Sequence, residues 1–379
     1  MQWTFCWRKA SCGPAYLTGG NFMMMKPFKI GEKFIGDGCP AFVVAEMAWS
    51  HDGSPEKAEK IVEGAARAGA DAICFHLTFL EDYMVPHYGS GPGRVSAGKE
   101  TREIFQYLQS INLNRQDWEK LFALAKKRGL LICAMCNDLP SVELAAVLKP
   151  DAYVISSSCF VEEELVKAVG GRRRPVFLRI GGALLGEIER TVQLLKEAGS
   201  TDMVLIYGFQ NYPTRLEDLD LRFISTLRQI FGLPVGFADH TDGASELALI
   251  IPLLALPFGA SLIEKHLTHD RDLRGEDFES ALDPADFAGF VSRLREVEKT
   301  FGSSIVRPLS EAELSYRLVS RKRTVAGMDI EAGEEITGEK LSFKRADEGI
   351  YPDESRFLLG RKAKVEIKKN EGITREKLV

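Results

Sequence analysis

No stretch of the 379-residue chain approaches the roughly 18 to 20 consecutive apolar residues of a membrane span, so a helical span is not its organising feature. Positive charge is not in excess either. Lys and Arg number 49 against 54 Asp and Glu, and a net charge of −5 argues against a nucleic-acid footprint. The first 25 residues hold Trp3, Cys6, Trp7, Arg8 and Lys9 but no continuous apolar core, so they do not read as a secretory signal. With Met23, Met24 and Met25 following, residues 1–27 are expected to be an N-terminal extension. Cysteine is sparse and odd in number; five of the seven fall in apolar or strand-like segments, which points to reduced thiols and a cytoplasmic setting. Cys133 and Cys136 form a CxxC pair inside the strand-like run 130–136, whereas a redox motif needs its cysteines at a helix N-terminus; the pair reads as packing.

What is present is alternation. Strand-like runs occur at 42–46, 72–76 and near 130–135, 152–157, 176–180, 203–207, 234–238 and 261–265. Between most of them lie segments whose apolar residues recur every three or four positions, as on an amphipathic helix. Ser54 and Pro55 supply a cap and a first-turn proline for the first of these. Eight such units over 28–300 predict a (β/α)8 TIM barrel, with an open doubly wound sheet as the alternative. One long interruption, Thr78 to Gln116, is expected to be a lid or a partner contact. Residues 301–320 read as a linker with a helix over 309–318, and 321–379 as a small α+β or β-rich domain.

Two successive strand-like runs end in histidines. One leads into Asp239-His240-Thr241, and the other ends Glu264-Lys265-His266. In a parallel barrel both imidazoles reach the rim where such folds build sites, and imidazole is the commonest metal ligand. Glu46 ends the first strand and can serve as an acid opposite them. Cys74 and His76, two residues apart, share a strand face and can add soft ligands or simply pack. Arg179 falls at the end of the fifth strand. A buried guanidinium needs an anionic partner, either a substrate or an internal acid such as Glu46.

In this order and spacing, Ala45-Glu46, His51-Asp-Gly53, Asn211-Tyr-Pro-Thr214, Asp239-His-Thr241, Glu264-Lys-His266 and Gly275 with Asp277 resemble the sialic acid synthase family. The segments Arg323-Thr-Val-Ala326, Asp329 to Glu334, Gly349-Ile-Tyr-Pro352 and Leu359-Gly360 resemble that family's antifreeze-like (SAF) domain. The resemblance implies condensation of phosphoenolpyruvate with an acylated hexosamine aldehyde to a nonulosonic 2-keto sugar acid, for surface polysaccharide biosynthesis. It further implies a divalent metal on His240 and His266, with Mn2+ favoured over Mg2+ or Co2+, and Glu46 as the catalytic carboxylate. Ser157, Arg179, Tyr212, Asp239 and Asp277 fall at substrate-binding positions, with Gln210 as a further candidate. A domain-swapped homodimer is implied, in which the basic run Arg321-Lys322-Arg323 helps hold a sugar.

The departures concern the anion site. Where the resemblance implies lysines in the second and fourth strands, this chain has Cys74 and Val154, and only Arg179 adds a cation. The alternative is therefore a divergent homologue that keeps metal and sugar binding but performs another lyase or isomerase reaction, or none.

Overall fold

Period-two alternation along short apolar runs decides the architecture. The computed structural model describes residues 25–87, 104–209, 211–302 and 306–379; the extension lies outside these apart from its last three residues, and Gln210 lies outside them too. The chain divides into two compact units, Met1–Ser304 and Ile305–Val379.

The first unit opens with an antiparallel hairpin, β1 (Phe28–Ile30) and β2 (Lys33–Ile35). Then come eight parallel strands: β3 (Phe42–Ala48), β4 (Ala72–Leu77), β5 (Leu131–Cys136), β6 (Ala152–Ile155), β7 (Val176–Arg179), β8 (Met203–Tyr207), β9 (Val235–Asp239) and β10 (Ala260–His266). They pair in chain order, and β10 returns to β3 to close the barrel. Alternate side chains face opposite ways along each strand. Phe42, Val44, Cys74, Cys133, Met135, Val154, Phe177 and Ile206 therefore fill the interior, joined at its base by Ile30 and Ile35 of the hairpin. Their neighbours, such as Val43, Ile73, Phe75, Ile132, Leu178 and Phe237, face the surrounding helices in a separate, larger core. Burial of each such Phe, Leu or Ile is worth about 1.5–3 kcal/mol. A one-residue register slip would exchange the two sets, so the pattern fixes the register.

Cys133 and Cys136 consequently lie on opposite faces of β5, in different cores, which agrees with a packing role. The helix Pro55–Ala68 begins as expected, with the Ser54 side chain accepting from the Lys57 amide, and ends at Gly69 in the left-handed region (φ 80°). The segment 243–256, whose apolar spacing predicts a helix, differs from that expectation. It forms a 3-10 turn, Glu246–Leu249, and a short helix, Ile251–Leu254, rather than one continuous helix. Pro252 has no amide hydrogen to donate and its ring crowds the carbonyl four residues back, so the helix breaks there. The eight-residue helix Glu163–Gly170, between β6 and β7, is too short for its periodicity to stand out.

The long interruption contains the helices Leu80–Tyr83 and Ile104–Ile111, which share a small core of Leu80, Phe105, Leu108 and Ile111; residues 88–103 lie outside the described residues. No helix among the described residues is long and apolar enough to cross a membrane. In the second unit a helix, Glu311–Ser320, precedes the antiparallel pair β11 (Arg323–Ala326) and β12 (Leu341–Lys344). Ile330, Ile336, Leu358, Ile367 and Ile373 form its core. The helix, expected within a linker, is grouped with this unit, and the division falls inside the 301–320 stretch.

Candidate active site

The parity that fills the barrel with apolar side chains continues to its C-terminal rim, where the chemistry changes. On the inward faces, Val44 is followed by Glu46, Cys74 by His76, Phe177 by Arg179, Ala238 by His240, and Leu262 by Glu264 and His266. Neighbouring strands bring these into register: Glu46 is the Cα partner of Cys74 on one side and of His266 on the other.

Glu46, Arg179 and Glu264 are 0%, 3% and 1% exposed, so this is a buried charge cluster. Arg179 Nη2 contacts Glu46 Oε2 and lies 2.7 Å from Glu264 Oε1. The partner that a buried guanidinium requires is thus internal and double. Glu46 Oε1 accepts from the Ala48 amide at 2.8 Å across a register shift at the end of β3, where Ala48 takes a positive φ of 44°. Burial alone would raise the Glu46 carboxyl, but the charges of His76 and Arg179 outweigh it and hold it well below the usual carboxylate range. Burial dominates for Glu264, and with Glu46 nearby and Arg179 opposing, it is pushed up to about 7. One carboxylate is held ionised and the other is poised to share a proton.

His240 and His266 lie side by side, ring centroids 5.2 Å apart, 2% and 1% exposed. All four of their ring nitrogens are buried without a hydrogen-bond partner among the described residues. Buried polar atoms are ordinarily paired, so two adjacent imidazoles without partners call for a ligand. Burial, followed by the neighbouring cationic groups, holds His240 well below its usual value; burial chiefly takes His266 down to about 3. Both are therefore neutral imidazoles, the form that ligates a metal. The Ser280 hydroxyl and the Thr214 amide both donate to the His240 carbonyl, at 2.8 and 2.9 Å, fixing the backbone that carries the ring.

Tyr212 stands edge-on to both rings, at 5.1 Å from His240 and 5.6 Å from His266. Burial, with the Asp277 charge adding to it, pushes the Tyr212 phenol well above its usual value. Asp277 itself is buried in the left-handed region (φ 62°). It sits in a turn tied to the loop after β3, because the Glu276 amide donates to Asp52 Oδ1 at 2.9 Å. A Cβ on Gly275 would stand 2.3 Å from Asp52 Oδ2, so a larger residue there would have to displace the Asp52 carboxylate. The helix Ile104–Ile111 joins the same turn through Tyr107, whose hydroxyl donates to Glu276 Oε2 at 2.6 Å. Ser157 lies at the β6 end of the mouth, its hydroxyl 3.5 Å from the Arg179 carbonyl.

Asp239 is not brought into the cluster. On the parity of Val235 and Phe237 it faces away from the barrel interior, where Lys265 Nζ donates to Oδ2 at 2.5 Å and Thr241 Oγ1 to Oδ1 at 2.5 Å. Lys265 is 0% exposed, so this outer pair is a buried brace for the two histidine-bearing strands. Sequence reasoning did not place Glu264 in the site. Its signal was present, since Glu264 lies two residues before His266 and must share its face.

A model of the NeuB family matches residues 61–306, and a model of the SAF domain matches residues 325–379. An uncharacterized protein of Methanocaldococcus jannaschii is 31% identical over 340 residues, covering 90% of this chain and 95% of that protein. Pseudaminic acid synthase of Campylobacter jejuni is 29% identical, covering 86% of this chain and 93% of the relative. Among solved structures, an N-acetylneuraminic acid (sialic acid) synthetase from Leptospira borgpetersenii superposes with a TM-score of 0.67 at 28% identity, covering 78% of this chain and 97% of that one.

Proposed function

The chain belongs to the NeuB family, and from that membership we propose that it is a synthase of the nonulosonic acid type, condensing phosphoenolpyruvate with an open-chain acylated hexosamine. The observation that carries this reading is the adjacency of an ionised, buried Glu46 to two neutral histidines whose ring nitrogens have no partner. His240 and His266 fit a divalent ion, Mn2+ before Mg2+ or Co2+, which when bound would polarise a sugar aldehyde as a Lewis acid. Glu46 serves as the catalytic carboxylate, held ionised and in orientation by Arg179 and the Ala48 amide, with Glu264 on the same guanidinium poised to share the proton. Tyr212 shapes the wall beside the histidines, and Asp277, on its tethered turn, is the acid for sugar hydroxyls. Ser157 contributes a hydroxyl at the mouth for an anionic oxygen.

The homodimer implied by the resemblance is part of the proposal, and a monomer in sedimentation velocity refutes that part. The chemical test is release of inorganic phosphate from phosphoenolpyruvate with Mn2+ and N-acetylmannosamine or a related acylated hexosamine. Turnover that needs both substrates supports the reading.

One observation favours a second reading. Cys74 and Val154 carry no cation, and Arg179 is the one inward-facing cation among the described barrel strands; its Nη2 already faces two carboxylates, which leaves only Nε and Nη1 for a substrate anion. On this reading the chain keeps the metal and sugar half of the site but performs a different lyase or isomerase reaction. Sugar and Mn2+ binding without phosphate release across a panel of acylated hexosamines would decide for it.

A further inference from the structure

A second group of ligating side chains lies beside the histidine pair. Glu46, Cys74 and His76 are all buried, and one ligand atom from each lies within 4.8 Å of the others. Their assembly follows from register: Glu46 and Cys74 are Cα partners on adjacent strands, and His76 is two residues further along the same inward face. His76 Nε2 stands 2.9 Å from Glu46 Oε1, yet it makes no aligned N–H···O hydrogen bond. A buried imidazole and carboxylate in ion-pair range, without an aligned hydrogen bond, can exchange a proton held between them for a cation.

We propose that Glu46, Cys74 and His76 form a second divalent cation site, distinct from His240 and His266 and suited to a thiophilic ion such as Zn2+. The donor set is one imidazole, one thiolate and one carboxylate, the soft-to-borderline mixture that selects Zn2+ over Mn2+ or Mg2+. Ligand atoms about 2.1 Å from an ion stand ~3.4 Å apart in tetrahedral geometry, so the Nε2–Oε1 pair opens by about half an ångström on loading. Glu46 can serve there without leaving Arg179: Oε2 faces the guanidinium while Oε1 faces His76. Arg179 does not repel the ion unopposed, because Glu264 engages the same guanidinium. Ligation by Cys74 sends its thiol proton to solvent, since the thiolate is the ligand. Three protein ligands leave a position open, the arrangement of reactive rather than purely structural zinc sites.

The test uses the full chain, stripped with a chelator and reloaded with Co2+ as a spectroscopic probe. The wild type is expected to bind two Co2+ per chain and to show a near-ultraviolet thiolate-to-cobalt charge-transfer band. Cys74→Ser should lose the band and one equivalent of Co2+. His76→Gln should weaken binding of that equivalent at least tenfold, and it carries the same test should Cys74→Ser fail to fold. His240→Ala should keep the band while losing the other equivalent. Absence of the band in fully loaded wild type, its persistence in Cys74→Ser, or its loss in His240→Ala would each overturn the proposal, the last by showing one shared ion. The readout is metal binding, so it stands apart from the condensation reading, which phosphate release tests.

Discussion

Replacing Arg179 with Met would remove the guanidinium that joins the two buried carboxylates while keeping most of its volume. Arg179 Nη2 contacts Glu46 and lies 2.7 Å from Glu264, and all three side chains are at most 4% exposed. With charge centres near 4 Å and an effective dielectric of about 20, each attraction is worth about 4 kcal/mol gross. Most of that offsets desolvation in the wild type, but the variant keeps the desolvation and adds repulsion between two carboxylates. Breaking a buried pair from one side costs about 3–5 kcal/mol, so Arg179→Met should lose that much. Adding Glu264→Gln removes the repulsion, and the double variant should recover about 1–3 kcal/mol relative to additivity. Urea unfolding followed by Trp49 and Trp118 fluorescence measures this; with a slope of about 3 kcal/mol per molar urea, the single variant's midpoint falls by roughly 1 to 2 M. A cost below about 1 kcal/mol, or additivity within about 0.5 kcal/mol, would show that Arg179 is not the centre of this cluster.

Other perturbations read other parts of the site. His240→Ala should abolish tight Mn2+ binding with the fold intact, as unchanged circular dichroism and a flat calorimetric titration would show; unaltered affinity would remove His240 from the ligand set. Arg179→Ala should eliminate phosphate release while Mn2+ binding persists, and full turnover in that variant would make Arg179 purely structural. His51 is 1% exposed with Nδ1 accepting from the Gly53 amide at 3.1 Å, and burial lowers its pKa to about 3. The stability it contributes is therefore full above pH 6.5 and is lost as pH falls from 6.5 toward 3, reaching about 2 kcal/mol at pH 5. His51→Asn should flatten the urea midpoint between pH 7.5 and 5 relative to wild type, and an unchanged slope would count against the assignment. At Gly208 (φ 118°) a Cβ would stand 2.2 Å from the Ala238 carbonyl. Gly208→Ala should therefore cost at least about 1–3 kcal/mol, read as a lowered Tm.

The barrel and the partition of its rim were legible because a strand's two faces are written in alternate residues. His240, His266, Glu46, Cys74 and His76 could each be assigned a face by counting in twos, and their meeting needed only closure of the sheet. The partners of individual charges were not legible. Arg179 required an anion, but the choice between a substrate and two internal acids depends on β7 facing β3 and β10 across the closed barrel. Asp239, adjacent to His240, read as part of the same site; the one-residue offset turns it outward to Lys265, a pairing set by the β9–β10 register. The basal hairpin escaped notice because two three-residue strands carry too little periodicity. The helix expected over 243–256 failed at Pro252, where local chemistry overrode the apolar spacing.

The charge inside the barrel constrains what can react there. Among the described strand residues, the inward faces carry two acids, Glu46 and Glu264, and one base, Arg179, an excess of one negative charge when both acids are ionised. Phosphoenolpyruvate brings roughly two to three further negative charges, and each unmatched charge-assisted hydrogen bond costs about 1.5–3 kcal/mol. One divalent ion on His240 and His266 reverses the sign by only one unit. A second, on Glu46, Cys74 and His76, adds one more after the thiolate is counted, and it does so at Cys74, where the resemblance implies a lysine. The two proposals are thus linked by electrostatics though tested separately. If condensation occurs in this barrel, occupancy of the thiolate site should govern phosphoenolpyruvate affinity, and Cys74→Ser should raise its KM by at least tenfold while leaving Mn2+ on the histidines. An unchanged KM would mean that the anion is held by groups outside the inward faces of the strands.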